Sequence, residues 1–198
     1  FFKNPVVFRA INESRKVINA IIEKYGSPSA INIEVGSEVS RSFANRTADK
    51  NEQTKRMKEK DAAKKTIAEL LGVDIASVTS KMIDRYFLGE LQGWKCLYSG
   101  KEINKEECLG GSKAYEIDHI VPFSLILDNT LNNKALVLTS ENQLKKQRTP
   151  LMYLSGERRK NFIGTVNELF RAKKIKKKKY AYLLQPDLND EKMSEWKS

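Results

Sequence analysis

The residue types best suited to chemistry lie between positions 115 and 142 of the 198-residue chain. Asp118 and His119 are adjacent, Asn133 follows His119 by fourteen residues, Asn142 comes next, and His119 is the only histidine. A neutral imidazole can accept a proton near neutral pH, and carboxylate and amide oxygens suit a hard cation such as Mg²⁺. The set therefore predicts a one-metal nuclease site, in which a base activates water and a cation stabilises the leaving oxygen of a phosphodiester.

Each of the four residues has a predicted role in this site. His119 is assigned as general base, and Asp118 and Asn142 as ligands of Mg²⁺, with Mn²⁺ as the alternative cation. Asn133 is expected to brace the loop and to orient the histidine by hydrogen bonds. Taken singly, the histidine would be a hydrogen-bonded strand residue and the asparagines turn formers. The order Asp-His-x-x-Pro, the asparagine spacing and the helix start that follows favour the catalytic interpretation.

Two strands and a helix must position these groups. The expected order is a strand over 115–120, a loop over 121–133, a strand over 134–139 and then a helix. Ser140 is predicted to cap that helix, with Gln143 completing a capping box. Adjacent residues on a regular strand point to opposite faces. Asp118 and His119 can therefore share one site only if the strand is irregular near its end, which Pro122 favours.

The rest of the chain is expected to be mostly helical. The predicted elements are helices over 5–24, 38–71 and 80–91, a strand within 93–101, a surface loop over 104–113, a short helix from Pro150, a helix around 162–170, and a segment over 180–184 that packs onto the core. A short strand is predicted over 31–35.

The composition indicates a polyanionic partner. Thirty-six Lys and Arg face twenty-five Asp and Glu, for a net charge of +11 and a pI near 9.5. Solubility alone is the alternative explanation for such an excess. Lys145, Lys146 and Arg148 follow Asn142 and are predicted to contact a nucleic-acid backbone. The run over 171–180 is expected to be a solvated or nucleic-acid-facing surface rather than a targeting signal.

The two cysteines and the hydropathy set further limits. Cys96 and Cys108 are too few for a disulfide framework and fit a reducing cytoplasm. Ser99 stands where a C-x-x-C zinc ligand would be, so structural zinc is not expected. No run of eighteen apolar residues predicts a membrane span. The chain begins Phe1-Phe2 rather than with Met, and we interpret it as a piece of a longer protein.

Motifs along nearly the whole chain resemble those of one family. They are N-P-V-V-F-R-A-I-N-E-S-R-K-V-I-N at 4–19, Y-G-S-P at 25–28, I-N-I-E at 31–34, K-C-L-Y-S-G-K-E-I at 95–103, Y-E-I-D-H-I-V-P-F-S at 115–124, N-N-K-A-L-V-L at 132–138 and S-E-N-Q at 140–143. The central unit resembles the HNH, or ββα-metal, endonucleases. The flanks resemble the type II CRISPR-associated single-effector RNA-guided DNA endonucleases, most closely the compact type II-C branch.

This resemblance implies a bacterial, cytoplasmic nuclease of antiviral defence. In that family the HNH domain cuts the DNA strand paired with guide RNA, and it is inserted within a RuvC-like nuclease domain. Asp118 and Asn142 match the HNH metal ligands, His119 the base and Asn133 the middle asparagine. Glu34 matches a metal ligand of the second RuvC motif, but the other RuvC motifs are missing. Glu34 is therefore an orphan, and only the HNH site is expected to be complete.

The implied fold class is α+β and mostly helical, with a ββα-metal core surrounded by helices. The implied domains are a RuvC-like fragment over 1–37, a first linker helix over 38–72, the HNH nuclease domain over 73–185, and the start of an exit linker over 186–198. Implied partners are the target DNA strand, guide RNA, the rest of the parent nuclease and an anti-CRISPR inhibitor protein. No membrane partner is expected.

Three alternatives remain open. One is the HNH nuclease of a transposon-encoded RNA-guided nickase, and another is a homing or restriction HNH enzyme, which the strand around Glu34 argues against. A third is a catalytically inactive basic module that binds nucleic acid. The chain alone is expected to cut weakly, because much of the rate comes from positioning the phosphate and no guide holds it.

Overall fold

The computed structural model describes residues 5–30 and 43–188, and the chain divides into two compact units, residues 1–49 and residues 50–198. In the first unit, helix α1 (Pro5–Tyr25) confirms the helix predicted from the apolar spacing. It ends where Gly26 adopts φ +84°, a left-handed conformation that favours glycine. The strand predicted at 31–35, with Glu34, lies outside the described residues. The predicted domain boundaries remain predictions.

The remaining elements follow in chain order. They are α2 (Phe43–Leu71), α3 (Ser80–Gln92), α4 (Lys105–Leu109), β1 (Tyr115–His119), α5 (Phe123–Ile126), β2 (Lys134–Leu138), α6 (Thr139–Lys145), α7 (Pro150–Tyr153), α8 (Gly156–Arg171) and α9 (Lys177–Leu183), with 3₁₀ turns at Ile75–Ser77 and Leu131–Asn133. This order confirms a mostly helical α+β fold around a ββα unit. No helix within the described stretches of chain is long and apolar enough to cross a membrane.

Helix α2 confirms the long solvated helix expected before the nuclease region. Its residues from 50 to 62 are exposed, and burial begins only at Ala63 and Ile67. Ile67 packs with Val78, Ile83 and Leu109 in a small cluster of its own. The helix ends before Gly72, where φ is +63°.

Two segments before β1 differ from the sequence prediction. The expected strand within 93–101 is a tight loop, held by an isolated bridge between Lys95 and Glu102 and by the Gly100 N–H donating to the Cys96 carbonyl. The expected surface loop at 104–113 contains α4, because the Asn104 side chain caps it and Cys108 is fully buried.

Within the described residues the sheet is one antiparallel pair, and it packs on α3. Tyr115 lies opposite Leu138 and His119 opposite Lys134. The Gln92 side chain accepts from the Leu136 N–H at 2.8 Å and donates to the Leu136 carbonyl at 2.7 Å. This amide satisfies the backbone on the other side of β2, where a third strand would pair. The core on this sheet is apolar, and its fully buried members include Ile120, Val121, Leu136, Val137, Val166, Tyr182 and Leu183.

The burial of Tyr182 and Leu183 confirms that the segment after the basic run packs back onto the domain. The run itself differs from the prediction at Ile175 and Lys179, which are both buried. Lys179 is buried, and its ammonium group donates to the carbonyls of Leu131 and Lys134. Burial lowers its pKa to about 7. Lys179 therefore ties α9 to the end of the loop between the two strands.

Candidate active site

A cleft of about 440 Å³ opens at the end of β1. Its lining includes Asp118, His119, Phe123, Asn142, Lys145 and Lys146. Strand β1 brings the first two, α5 brings Phe123, α6 brings Asn142 and Lys145, and Lys146 directly follows α6. Three of the four predicted site residues, Asp118, His119 and Asn142, thus border one cavity, while Asn133 is not among its lining residues.

The strand carrying Asp118 and His119 is regular, contrary to the prediction. Its register with β2 runs continuously from Tyr115 to His119. Alternation sends the Asp118 side chain towards Tyr98 and the His119 side chain towards Asn129. Both residues still reach the cleft because it lies at the strand end, where Pro122 leads into α5. The position of the cleft, rather than a bulge, brings the pair together.

Asp118 is buried, and both of its carboxylate oxygens have partners. The Tyr98 hydroxyl donates to Asp118 Oδ2 at 2.6 Å, and the Lys145 ammonium lies 3.2 Å from Oδ1 and 3.0 Å from Oδ2. Burial raises the pKa of Asp118, while Lys145 and Tyr98 oppose that rise. Burial likewise lowers the pKa of Lys145, whose side chain is 1% exposed. The carboxylate therefore sits in a poorly solvated place that already accepts one cation.

Histidine 119 is held on several sides. Its Nε2 lies 3.1 Å from Asn129 Oδ1, and its ring centroid is 5.4 Å from that of Phe123. Its carbonyl accepts from the Lys145 ammonium at 2.9 Å. The ring is thus placed by the loop that follows β1, and its main chain by α6.

Asn142 is oriented by a carboxylate on β1. Its Nδ2 donates to Glu116 Oε2 at 2.7 Å. The atom of the Asn142 amide that can bind a cation is therefore its oxygen, because the amide nitrogen only donates hydrogen bonds. The helix that carries it begins two residues earlier than expected, and Ser140 does not cap it. Its N-cap is Leu138, which makes no side-chain cap, and the Thr139 hydroxyl donates to the Lys113 carbonyl at 2.6 Å. The predicted capping box is therefore wrong.

Asn133 is fully buried and bonded to the loop it follows. Its Nδ2 donates to the carbonyls of Val121 and Asp128 at 2.9 and 3.0 Å, and its Oδ1 accepts from the Val121 N–H at 2.9 Å. These bonds join the two ends of the segment that passes over the histidine. The contacts are those expected of a brace, and the role itself remains a prediction.

The predicted nucleic-acid contacts separate into two kinds. Lys146 is exposed beside the cleft, as a backbone contact requires. Lys145 is instead buried on Asp118, so the prediction of a surface cation there is wrong. Arg148 is half-buried and donates to the carbonyls of Lys145 and Leu144, which places it at the C-terminal end of α6.

Three further residues at the site were missed from the sequence. Tyr98 binds Asp118, Glu116 binds Asn142, and Asn129 binds His119. Glu116 could have been found, because it lies two positions before Asp118 and so shares its face of the strand. Tyr98 and Asn129 carry no local sign of their contacts, since these depend on how distant segments pack.

The donor set suits a hard cation with few protein ligands. Across residues 5–30 and 43–188, no three His, Cys, Asp or Glu side chains come together as a metal-binding group. Asp118 and Asn142 border the same cleft, and the Asp118 carboxylate is already paired with the ammonium group of Lys145. A carboxylate and an amide oxygen fit Mg²⁺, which keeps several waters, better than they fit Zn²⁺.

Comparison with known proteins agrees with this geometry. Residues 96–151 match the HNH endonuclease family. The CRISPR-associated endonuclease Cas9 of Staphylococcus aureus is 38% identical over 195 residues, which are 96% of this chain and 18% of that protein. The Cas9 of Campylobacter jejuni is 39% identical over 147 residues, which are 74% of this chain and 14% of that protein. The chain thus spans less than a fifth of either relative.

Solved structures give the same result. A structure of Streptococcus thermophilus Cas9 in complex with the GGAA PAM aligns with a TM-score of 0.68 and 29% identity, covering 99% of this chain and 20% of that one. The type II-C Cas9 from Actinomyces naeslundii aligns with a TM-score of 0.53 and 25% identity, covering 94% of this chain and 22% of that one. The matched segment 96–151 contains β1, β2 and α6, and therefore the whole candidate site.

Proposed function

We propose that this chain, which carries an HNH endonuclease domain and belongs with the HNH-containing region of the type II Cas9 endonucleases, hydrolyses phosphodiester bonds in the DNA strand paired with a guide RNA. The observation that carries the proposal is the single cleft bordered by Asp118, His119 and Asn142. One base and two oxygen ligands around one cavity are the groups that one-metal hydrolysis of a phosphodiester requires.

His119 acts as the general base. Its imidazole takes one proton from the attacking water, whose oxygen forms the new bond to phosphorus. The bond from phosphorus to the leaving oxygen breaks with its electron pair on that oxygen, which then takes a proton from solvent. Asn129 and Phe123 hold the ring while this happens, because both contact it directly.

Asp118 and Asn142 would hold the divalent cation, Mg²⁺ or Mn²⁺. When bound, this cation supplies positive charge to the phosphate and the leaving oxygen. Tyr98 and Glu116 orient the two ligands by hydrogen bonds at 2.6 and 2.7 Å. Lys146, exposed at the rim, is placed to meet the DNA backbone.

The proposal includes partners and a location. The target strand, its guide RNA and the remainder of a larger nuclease would deliver the phosphate to the cleft, and an anti-CRISPR protein that covers His119 would block it. The relatives are bacterial proteins, which supports a bacterial cytoplasmic location. The type II-C assignment and the orphan role of Glu34 belong to the same proposal.

The deciding experiment uses His119→Ala in a full-length RNA-guided nuclease that carries this chain. We expect cleavage of the guide-paired strand to fall by about 10²–10⁴-fold, the usual contribution of a positioned base. Binding of the guide and target, measured by mobility shift, should stay the same. Unchanged cutting with Mg²⁺ would overturn the assignment and would favour an inactive basic module that only binds nucleic acid.

A further inference from the structure

Asn129 contacts His119 through one particular ring nitrogen. The amide oxygen Oδ1 lies 3.1 Å from Nε2. An amide oxygen accepts hydrogen bonds and cannot donate them, so the ring nitrogen that faces it must carry a proton. In a neutral imidazole the other nitrogen, Nδ1, then holds the lone pair.

We propose that Asn129 is a positioning residue that fixes His119 in the Nε2-protonated tautomer, so that Nδ1 is the atom that takes the proton from the attacking water. This inference rests on the proposed function, in which His119 is the base. Once Nδ1 is protonated, both ring nitrogens donate, and Nε2 keeps its bond to the Asn129 oxygen. The same contact therefore serves the ring before and after proton transfer.

The main chain on the N-terminal side of Asn129 is firmly held. The Asp128 carboxylate accepts from the Tyr182 hydroxyl at 3.1 Å and lies 3.0 Å from the Lys178 ammonium. The Asp128 carbonyl accepts from Asn133 Nδ2 at 3.0 Å. Helix α9 and the buried Asn133 thus hold the residue next to Asn129, although Asn129 itself is exposed.

The next residue is tied as well. The Thr130 N–H donates to Asp128 Oδ1 at 2.8 Å, and the Thr130 hydroxyl accepts from the Asn132 N–H at 3.3 Å. Asn129 therefore lies inside a hydrogen-bonded turn, which gives its amide a defined position over the ring. An exposed side chain with no such support would gain little from one hydrogen bond.

The ring cannot turn freely away from this contact. Phe123 lies against it at 5.4 Å and 41°, and the Lys145 ammonium holds the His119 carbonyl at 2.9 Å. Phe123 belongs to α5, within the segment between the two strands, and Lys145 belongs to α6. These contacts hold the ring in one orientation, in which Nε2 faces the Asn129 oxygen.

The tautomer can be read directly, because His119 is the only histidine in the chain. The chain is labelled with ¹⁵N-histidine, and the resonances of the two ring nitrogens, which distinguish the two tautomers of a neutral imidazole, are recorded. We expect the Nε2–H tautomer to predominate in the wild type and Asn129→Ala to give a mixture. Asn129→Asp keeps an acceptor oxygen and should retain Nε2–H, and Asn132→Ala in the same loop should match the wild type.

The kinetic counterpart is measured in the full-length nuclease. Asn129→Ala should slow cleavage of the guide-paired strand by about 10–100-fold, the effect typical of a residue that orients a catalytic group, without weakening target binding. A wild-type ring protonated at Nδ1, or an Asn129→Ala ring unchanged from the wild type, would overturn the inference. So would a changed tautomer with an unchanged cleavage rate. If His119→Ala itself leaves cleavage intact, the proposed function fails instead, whatever the tautomer.

Discussion

Two buried carboxylates in this domain have similar partners, but their pKa values are shifted in opposite directions. Asp118 pairs with a tyrosine hydroxyl and with Lys145, and Asp128 pairs with a tyrosine hydroxyl and with Lys178. Their side chains are 8% and 7% exposed. The pKa of Asp118 is nonetheless raised, while that of Asp128 is lowered to about 2.

The difference lies in how far hydrogen bonds and ion pairs offset the burial of each carboxyl group. Burial acts to raise the pKa of both carboxyl groups, but at Asp128 the hydrogen bonds from Thr130 and Lys178 outweigh it. The Lys178 side chain is 52% exposed, so its charge stays hydrated, whereas that of Lys145 is 1% exposed. A carboxylate whose hydrogen bonds outweigh its burial is a structural anchor. One whose charge is poorly compensated is suited to binding another cation, and such groups cluster at functional sites.

The largest expected effect concerns activity and separates the two carboxylates. Asp118→Asn should lower cleavage of the guide-paired strand by about a thousandfold, because a metal ligand contributes several kcal/mol to transition-state stabilisation. Asp128→Asn should change the rate less than about tenfold, since it touches the loop and not the cation. Single-turnover cleavage with saturating Mg²⁺ measures both. Equal losses in the two variants would remove the functional distinction between them.

The second expected effect concerns stability and compares the lysines. Lys145→Met should destabilise the chain by about 3 kcal/mol, because it leaves the Asp118 carboxylate buried without its cation. Lys178→Met removes an exposed partner and should cost less than about 1 kcal/mol. Urea denaturation of the 198-residue chain at neutral pH gives both values. A larger loss for Lys178→Met would show that hydration of the lysine is not what distinguishes the pairs.

The smallest expected effect is a pH dependence at Asp128. Its folded-state pKa of about 2 lies below its ordinary value of 3.8, so its ionised form adds stability above pH 3.8 and loses that contribution as the pH falls through about 2. Asp128→Asn should therefore be less stable than the wild type by on the order of 1–2 kcal/mol at pH 6, and the gap should close between about pH 4 and 2.

Asp118→Asn is the matched control for this titration. The pKa of Asp118 is raised in the folded chain, so its ionised form contributes no stability that acid would remove. The stability gap between Asp118→Asn and the wild type should not close on acidification in the way expected for Asp128→Asn. If the two variants titrate alike, the contrast in pKa between the carboxyl groups is wrong.

Much of the fold could be predicted because its signals are local. Short windows of sequence show the apolar spacing in α1 and α3, the scarcity of apolar residues in most of α2, and Pro150 at the start of α7. The short elements were not. The segment over 93–101 has strand-like composition, but packing closes it into a tight loop, and a single Asn104 cap turns an expected loop into α4.

The candidate site divides in the same way. Residue type and spacing were sufficient to predict that Asp118, His119 and Asn142 lie together, and the three border one cleft, while their catalytic roles remain a proposal. The partners of Asp118 could not be predicted from residue type and spacing, because Tyr98 and Lys145 are 20 and 27 residues away from it in the sequence. The sequence also placed Lys145 and Lys179 on the surface, and both are buried.

The sequence alone therefore determines which groups are available for catalysis and the order of strand, loop, strand and helix that gathers them. Only the tertiary structure decides the electrostatic state of each group. A carboxylate beside a tyrosine and a lysine can be an anchor or a candidate cation site, and the outcome depends on whether its hydrogen bonds outweigh its burial. Burial of this kind is a property of packing between distant segments, which no local pattern encodes.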